Sequence, residues 1–234
     1  MTTVKSSVVQ DMSGVAQATL TTIGTASYDD GSGVKDYKLI WDDDNNGRSV
    51  VWLDYRHEDD PWSYQMIWAS SLDTALTVNL YAEYTVDWSG SSWRLPYIVD
   101  GPVVNGYDGT TTAGYNITTS EMGHLFYEEL GNSGWYDTSG NQQSVFGLTN
   151  TGVFENLRSQ WYWSETLSGE ATNNAWLFNM YYGQTAPYGS YNSIGGLAVR
   201  TGQVSLVPVP SAIILLGAGL LWVTGIGRKS RIDV

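Results

Sequence analysis

The sequence predicts an α+β fold: irregular antiparallel sheets, two main helices and a single hydrophobic helix at the C-terminus. Three observations predict it. Short runs of β-branched and aromatic residues recur along the chain, separated by Gly-, Asn- and Asp-rich stretches. Two segments carry helix-start signals ahead of an apolar side. The run over residues 211–227, SAIILLGAGLLWVTGIG, is free of charge.

Taken in order, residues 1–23 are small and polar with no strong period, and read as a loose lead-in or an edge strand. Residues 37–41 (YKLIW) and 49–54 (SVVWLD) are strand-length runs. Between them lies DDDNNGR, whose Asn46-Gly47 pair tolerates positive φ and signals a hairpin. Asp60-Pro61-Trp62 then opens a helix, with Asp60 as N-cap and Pro61 at the first position. Trp62, Ile67, Trp68 and Leu72 lie on or near its apolar side, and it ends near Asp73. A strand is expected around residues 77–84, and residues 97–117 read as a Gly-, Asp- and Thr-rich loop. Thr118 and Glu121 form a capping box for a second helix over residues 119–130, with Met122, Leu125, Phe126 and Leu130 on one face and Gly131 as its stop. Strands are expected at 161–164, 175–182 and 196–201. One domain over 24–204 is followed by a tail, 205–234.

Composition narrows the function. There is no cysteine, which removes disulfides, thiolate metal sites and thiol nucleophiles. Net charge is −13. Without the segment from Gln203 onward, which holds three basic residues and one acidic, 8 basic residues face 23 acidic ones, or −15. Such a field repels nucleic acid and anionic glycans and favours counter-cations such as calcium. Eleven Trp and 16 Tyr among many Gly, Ser, Thr and Asn suit a loop-rich extracellular domain.

The tail has an order of its own. Val207-Pro208-Val209-Pro210 precedes the apolar run, and Arg228, Lys229 and Arg231 follow it. A bilayer core ~30 Å thick takes about 17–25 helical residues to cross, so the run 211–227 is expected to be a transmembrane helix with its basic stop on the cytoplasmic side. Motif, helix and basic stop together resemble the PEP-CTERM sorting signal of Gram-negative bacteria, with Val209 where that signal usually has Glu. The resemblance implies export, an exosortase-type processing protease as partner, transient anchoring in the inner membrane, and delivery to the envelope or extracellular polymer. A plain C-terminal anchor or a buried hairpin helix is the plainer reading. Residues 1–25 hold one Lys and no apolar core of signal-peptide length, so the true start is expected upstream.

The body resembles a second family. Trp93-Arg94-Leu95-Pro96, the helix from Glu121, Tyr162-Trp163-Ser164, Ala175-Trp176-Leu177-Phe178 and Gly196-Leu197-Ala198-Val199-Arg200 occur in the order seen in the Lcl-type C-terminal domain of collagen-like adhesins. Residues 39–54 match the leading hairpin of variants carried by PEP-CTERM proteins. The resemblance covers roughly 24–204 and implies a C-type-lectin-like fold used for binding or adhesion.

Four constellations bear on chemistry. Asp42, Asp44 and Asn46, followed by Gly47, match the first half of a calcium loop, hard oxygen ligands at alternate positions. The bidentate Glu that closes such a loop is missing, and the same residues suit a solvated turn. His57 and His124 stand in no nucleophile motif and share no His-x-x-x-His spacing. Trp135, Tyr136, Tyr181, Tyr182, Tyr188 and Tyr191 lie in Gly- and Ser-rich stretches and form a candidate ligand surface, since aromatic rings offer sugars an apolar face and a polar edge. Trp93, Trp163 and Trp176 are expected in the core. Arg94 and Arg200 sit among apolar residues and need a carboxylate or carbonyl partner, such as Glu121 or an Asp near the loops.

The expectation is a non-catalytic, exported binding or adhesion protein whose partner is a neutral polysaccharide or a surface protein. The alternatives are a structural biofilm or exopolysaccharide component without a specific ligand, and a carbohydrate-active enzyme.

Overall fold

The computed structural model describes residues 19–170 and 172–208. The first three strands are β1 (Leu20–Asp29), β2 (Val34–Asp42) and β3 (Val50–Asp60), followed by helix α1 (Trp62–Ala75), β4 (Thr77–Leu80) and β5 (Tyr84–Asp87). The middle of the chain contributes β6 (Asn105–Gly106), β7 (Ala113–Tyr115) and helix α2 (Glu121–His124), which runs into a π-helical turn, Leu125–Glu129. The last third is β8 (Trp161–Leu167), β9 (Asn174–Asn179), β10 (Gln184–Gly189), β11 (Ile194–Thr201) and β12 (Gln203–Leu206).

Ten strands form one sheet in the order β4-β1-β2-β3-β11-β8-β9-β10-β7-β6, and β12 pairs with β5 in a separate ribbon. Neighbours are antiparallel except β11 with β8 and β6 with β7. The β2–β3 hairpin closes on Asn46 and Gly47, both at positive φ (54° and 77°), with Asn45 and Arg48 exchanging backbone hydrogen bonds. This is the primed two-residue turn whose twist matches that of the strands it joins.

Both faces of the sheet are covered, because successive side chains of a strand point to opposite sides. Ile40, Val50 and Trp52 face one core with Met122, Leu125, Phe126, Trp176 and Phe178. Their neighbours Leu39, Val51 and Leu53 face another, with Trp68, Ala69 and Leu72 of α1 and with Trp93 and Trp163. Trp93, Trp163 and Trp176 are thus core residues, as expected.

The expected α+β, lectin-like class is corrected. Among the described residues 42% are strand and 12% helix, a predominantly β molecule with two short helices. Two physical causes stand out. The expected long helix over 119–130 is four α-helical residues followed by a π-helical turn. Segments read as lead-in or loop are sheet: β1 sits between β4 and β2 rather than at an edge, and β6 and β7 arise within 97–117. Among the described residues no helix is long and apolar enough to cross a membrane. The expected C-terminal helix at 211–227 lies outside the described residues.

Helix ends differ in detail as well. Pro61, not Asp60, occupies the N-cap position of α1, and Ile67 is exposed while Gln65, Trp68, Ala69 and Leu72 are buried. At α2 the N-cap is Ser120, whose hydroxyl accepts from the Gly123 N–H at 3.0 Å. Glu121 does not close a capping box with Thr118, because its carboxylate is held by Arg94.

Candidate functional site

Two places gather chemistry. The first lies where the β2–β3 hairpin meets α2. Asp42 ends β2 fully buried, and its Oδ2 accepts from Asn45 Nδ2 (2.8 Å) and Trp52 Nε1 (3.1 Å). Its Oδ1 is buried without a hydrogen-bond partner. His124 ends α2 and Glu129 ends the π-helical turn, with His124 Nε2 3.3 Å from Glu129 Oε1. Glu129 Oε2 is likewise buried and unpartnered. One ligand atom from each of Asp42, His124 and Glu129 lies within 4.8 Å of the others, the group among the described residues with metal-holding geometry.

The π-helical turn creates this pairing. Its i→i+5 hydrogen bonds bring residues five apart close above one another, where an ordinary α-helix would aim them to different sides. Burial pushes the Asp42 carboxyl up to about 6, against its two hydrogen bonds. Burial pulls the His124 imidazole down, but the Glu129 hydrogen bond and the Asp42 and Glu129 charges outweigh it and hold it above its ordinary value.

Of the residues read as a calcium loop, only Asp42 enters this cluster. The exposed Asp44 uses its carboxylate on the Gly47 N–H at 2.9 Å. Asn46 is exposed too, and its amide donates to Ser120 O at 3.5 Å. Alternate positions of a strand would share a face, but the chain turns after Asp42, so the three side chains part.

The second place is aromatic. A cleft of about 620 Å³ is lined by Trp161 of β8, Tyr181 and Tyr182 from the β9–β10 turn, and Tyr188 of β10, with Asp59 and Asn192 among its polar groups. Trp161 and Tyr188 meet edge to face at 5.4 Å, and both are partly exposed. Tyr182 stacks on Trp135 at 4.4 Å, with Phe146 beyond it. Tyr191 is 78% exposed beside the cleft's Asn192. Tyr136 belongs to a tyrosine cluster with Tyr107 and Tyr115. Of the six residues predicted as a ligand surface, three therefore line the cleft, Trp135 supports it from behind, and Tyr191 flanks it.

Sequence reasoning counted Trp161, which ends on the exposed side of its strand beside two buried aromatics, among the aromatic residues but not in the candidate ligand surface. It also left His124 and Glu129 unpaired. Their spacing opposes them on a regular helix, and only the i→i+5 turn would have disclosed them.

The remaining candidates are structural. Arg94 grips Glu121 with two hydrogen bonds of 2.7 and 2.6 Å, and Arg200 stands 3.5 Å from Asp73 and over the Trp88 ring at 4.6 Å. His57 stacks on Trp68 at 4.5 Å, inside the fold rather than in a triad. Of the sorting motif, Val207 donates its N–H to Glu83 O (2.9 Å) and Pro208 follows it. Val209, Pro210, Arg228, Lys229 and Arg231 lie outside the described residues. No protein-family model, curated protein or solved structure matches the chain.

Proposed function

We propose that this chain is an exported envelope or extracellular-matrix protein of the PEP-CTERM kind, and that it binds neutral polysaccharide in the aromatic cleft without transforming it. The observation that carries the reading is the cleft itself. Trp161 and Tyr188 offer apolar ring faces at its wall, and Asn192 and Gln160 offer hydrogen-bonding edges. That mixture suits a sugar, which has apolar faces and a rim of hydroxyls. The net charge of −13 selects against anionic glycans. Among the described residues Asp59 is the one carboxylate lining the cleft, and Arg56 pairs with it. A glycosidase needs two carboxyls roughly 5–9.5 Å apart across the bond it cleaves, so the lining favours binding over hydrolysis. The tail supports export through its motif, apolar run and basic stop.

Two measurements test the two halves. Mass and fractionation of the native protein should find a product ending near Pro210 outside the inner membrane; full-length protein held in that membrane would sink the sorting half. Affinity electrophoresis of the full chain in gels containing neutral polysaccharides should show retardation that Trp161→Ala and Tyr188→Ala each abolish. Migration unchanged in every neutral polymer would instead favour a structural matrix component without a ligand.

A further inference from the structure

We propose that Asp42, His124 and Glu129 form a site for one divalent cation of the zinc class, which clamps the β2–β3 hairpin to the α2 segment. Four observations lead there. The three side chains present one nitrogen and two carboxylate oxygens within 4.8 Å of one another. Nitrogen and oxygen ligands ~2.0–2.2 Å from a zinc ion stand at most about 4.4 Å apart, so small side-chain movements would close the three atoms on a cation. Asp42 is 0% exposed, the Glu129 side chain is 1% exposed, and each keeps one oxygen without a hydrogen-bond partner. Buried carboxylate oxygens of this kind are costly to leave unpaired.

Charge points the same way. A dication beside a neutral imidazole would balance both carboxylates. The surroundings resemble a ligand's supporting shell. Asn45 and Trp52 both donate to Asp42 Oδ2, which orients the carboxylate and leaves Oδ1 for the cation.

The ligand set selects the class of metal. Calcium takes six to eight oxygens and magnesium keeps several waters. An imidazole with two carboxylates suits zinc and its first-row neighbours. The site is therefore distinct from the hairpin calcium loop that Asp44 and Asn46 would have completed. Its ligands come from residue 42 and from residues 124 and 129, so the cation cross-links parts of the chain that no disulfide joins.

The test uses the full chain in mild detergent, stripped with chelator and then offered Zn²⁺, Ca²⁺ or Mg²⁺. After gel filtration, elemental mass spectrometry should count about one zinc per chain, with a raised Tm, and neither calcium nor magnesium should remain. His124→Ala and Glu129→Gln should lose the zinc, and Asp44→Asn should keep it. Asn45→Ala should weaken zinc binding by roughly 10–100-fold in a competition titration, the loss expected when a supporting partner is removed. Because the ligand variants risk misfolding, NMR of the wild-type imidazoles gives an independent reading: zinc should shift the His124 ring and leave His57 in place. Wild-type protein that retains no zinc would overturn the proposal. So would an unmoved His124 ring, or loss of zinc in Asp44→Asn.

Discussion

The Glu121 carboxylate accepts from Arg94 Nη1 and Nη2 and from the Tyr97 N–H, at 2.7, 2.6 and 2.7 Å, and is 3% exposed. Charge-assisted bonds of this bidentate kind are about twice as strong as neutral ones, which is why Glu121 abandons the capping box its sequence position suggests. Glu121→Ala strands a partly buried guanidinium and should cost about 3–5 kcal/mol, read by urea unfolding. Replacing both partners, as Arg94→Met with Glu121→Leu, should cost clearly less, because the one charge left without its partner is the half-buried Glu165, 3.8 Å from Arg94. Equal costs would mean that the pair contributes little beyond its packing. His57 gives a pH prediction at the same scale. The Gln65 amide donates to Glu58 O and Ile194 O, so its oxygen must accept from the His57 Nδ1–H. Burial holds the imidazole below its ordinary 6.5, against that bond and the Asp60 and Glu58 charges. The unfolded chain therefore takes up the proton first. The stability contributed by the neutral ring is complete above 6.5 and is lost as pH falls through the folded value. Thermal melts from neutral pH to about 5 should show a smaller acid loss in His57→Gln than in the wild type; parallel curves would dismiss the ring as the cause.

At the scale of elements, the α2 segment depends on close backbone approach. A Cβ on Gly123 would stand 2.0 Å from Ile117 O and 2.7 Å from Ser120 Oγ, the N-cap hydroxyl. Gly123→Ala should thus destabilise the protein by about 1–3 kcal/mol, as overpacking does, and should displace His124 next to it. A melting temperature equal to that of wild type would show that the segment yields freely. The hairpin was legible because its signal is local: Asn46-Gly47 between two aromatic, β-branched runs needs no partner elsewhere in the chain. β1 was not legible. Its sequence, LTTIGTASYD, alternates weakly, and only Ile23, Gly24 and Ala26 turn out buried. Gly24 is there because β4 crosses close by, where a Cβ would meet Asn79 O at 2.3 Å. No pattern within β1 announces a neighbour more than 50 residues away.

At the scale of the whole molecule, β11 joins the two halves of the sheet. It pairs with β3 along most of its length and with β8 through a single parallel bridge, Gly195 to Tyr162. The late segment 194–201 thus inserts between strands formed by the beginning and by the last third of the chain. Charge is the other global property. With a net charge of −13, self-repulsion works against the compact state. The Debye length shortens from ~30 Å at 0.01 M salt to ~8 Å at 0.15 M, so the Tm of the full chain should rise across that range. A Tm that falls would point instead to net stabilising ion pairs, such as Lys38 with Glu155.

The sequence by itself determined the hairpin turn, the buried tryptophans Trp93, Trp163 and Trp176, the acidic field, and the need of Arg94 and Arg200 for partners. Each of these follows from residue type, local period or simple charge balance. Only the tertiary structure decided the ten-stranded sheet, the parting of Asp42 from Asp44 and Asn46, the aromatic cleft, and the meeting of Asp42 with His124 and Glu129. Those depend on which distant segments pack together, and on a π-helical turn whose five-residue period an amphipathic pattern does not encode.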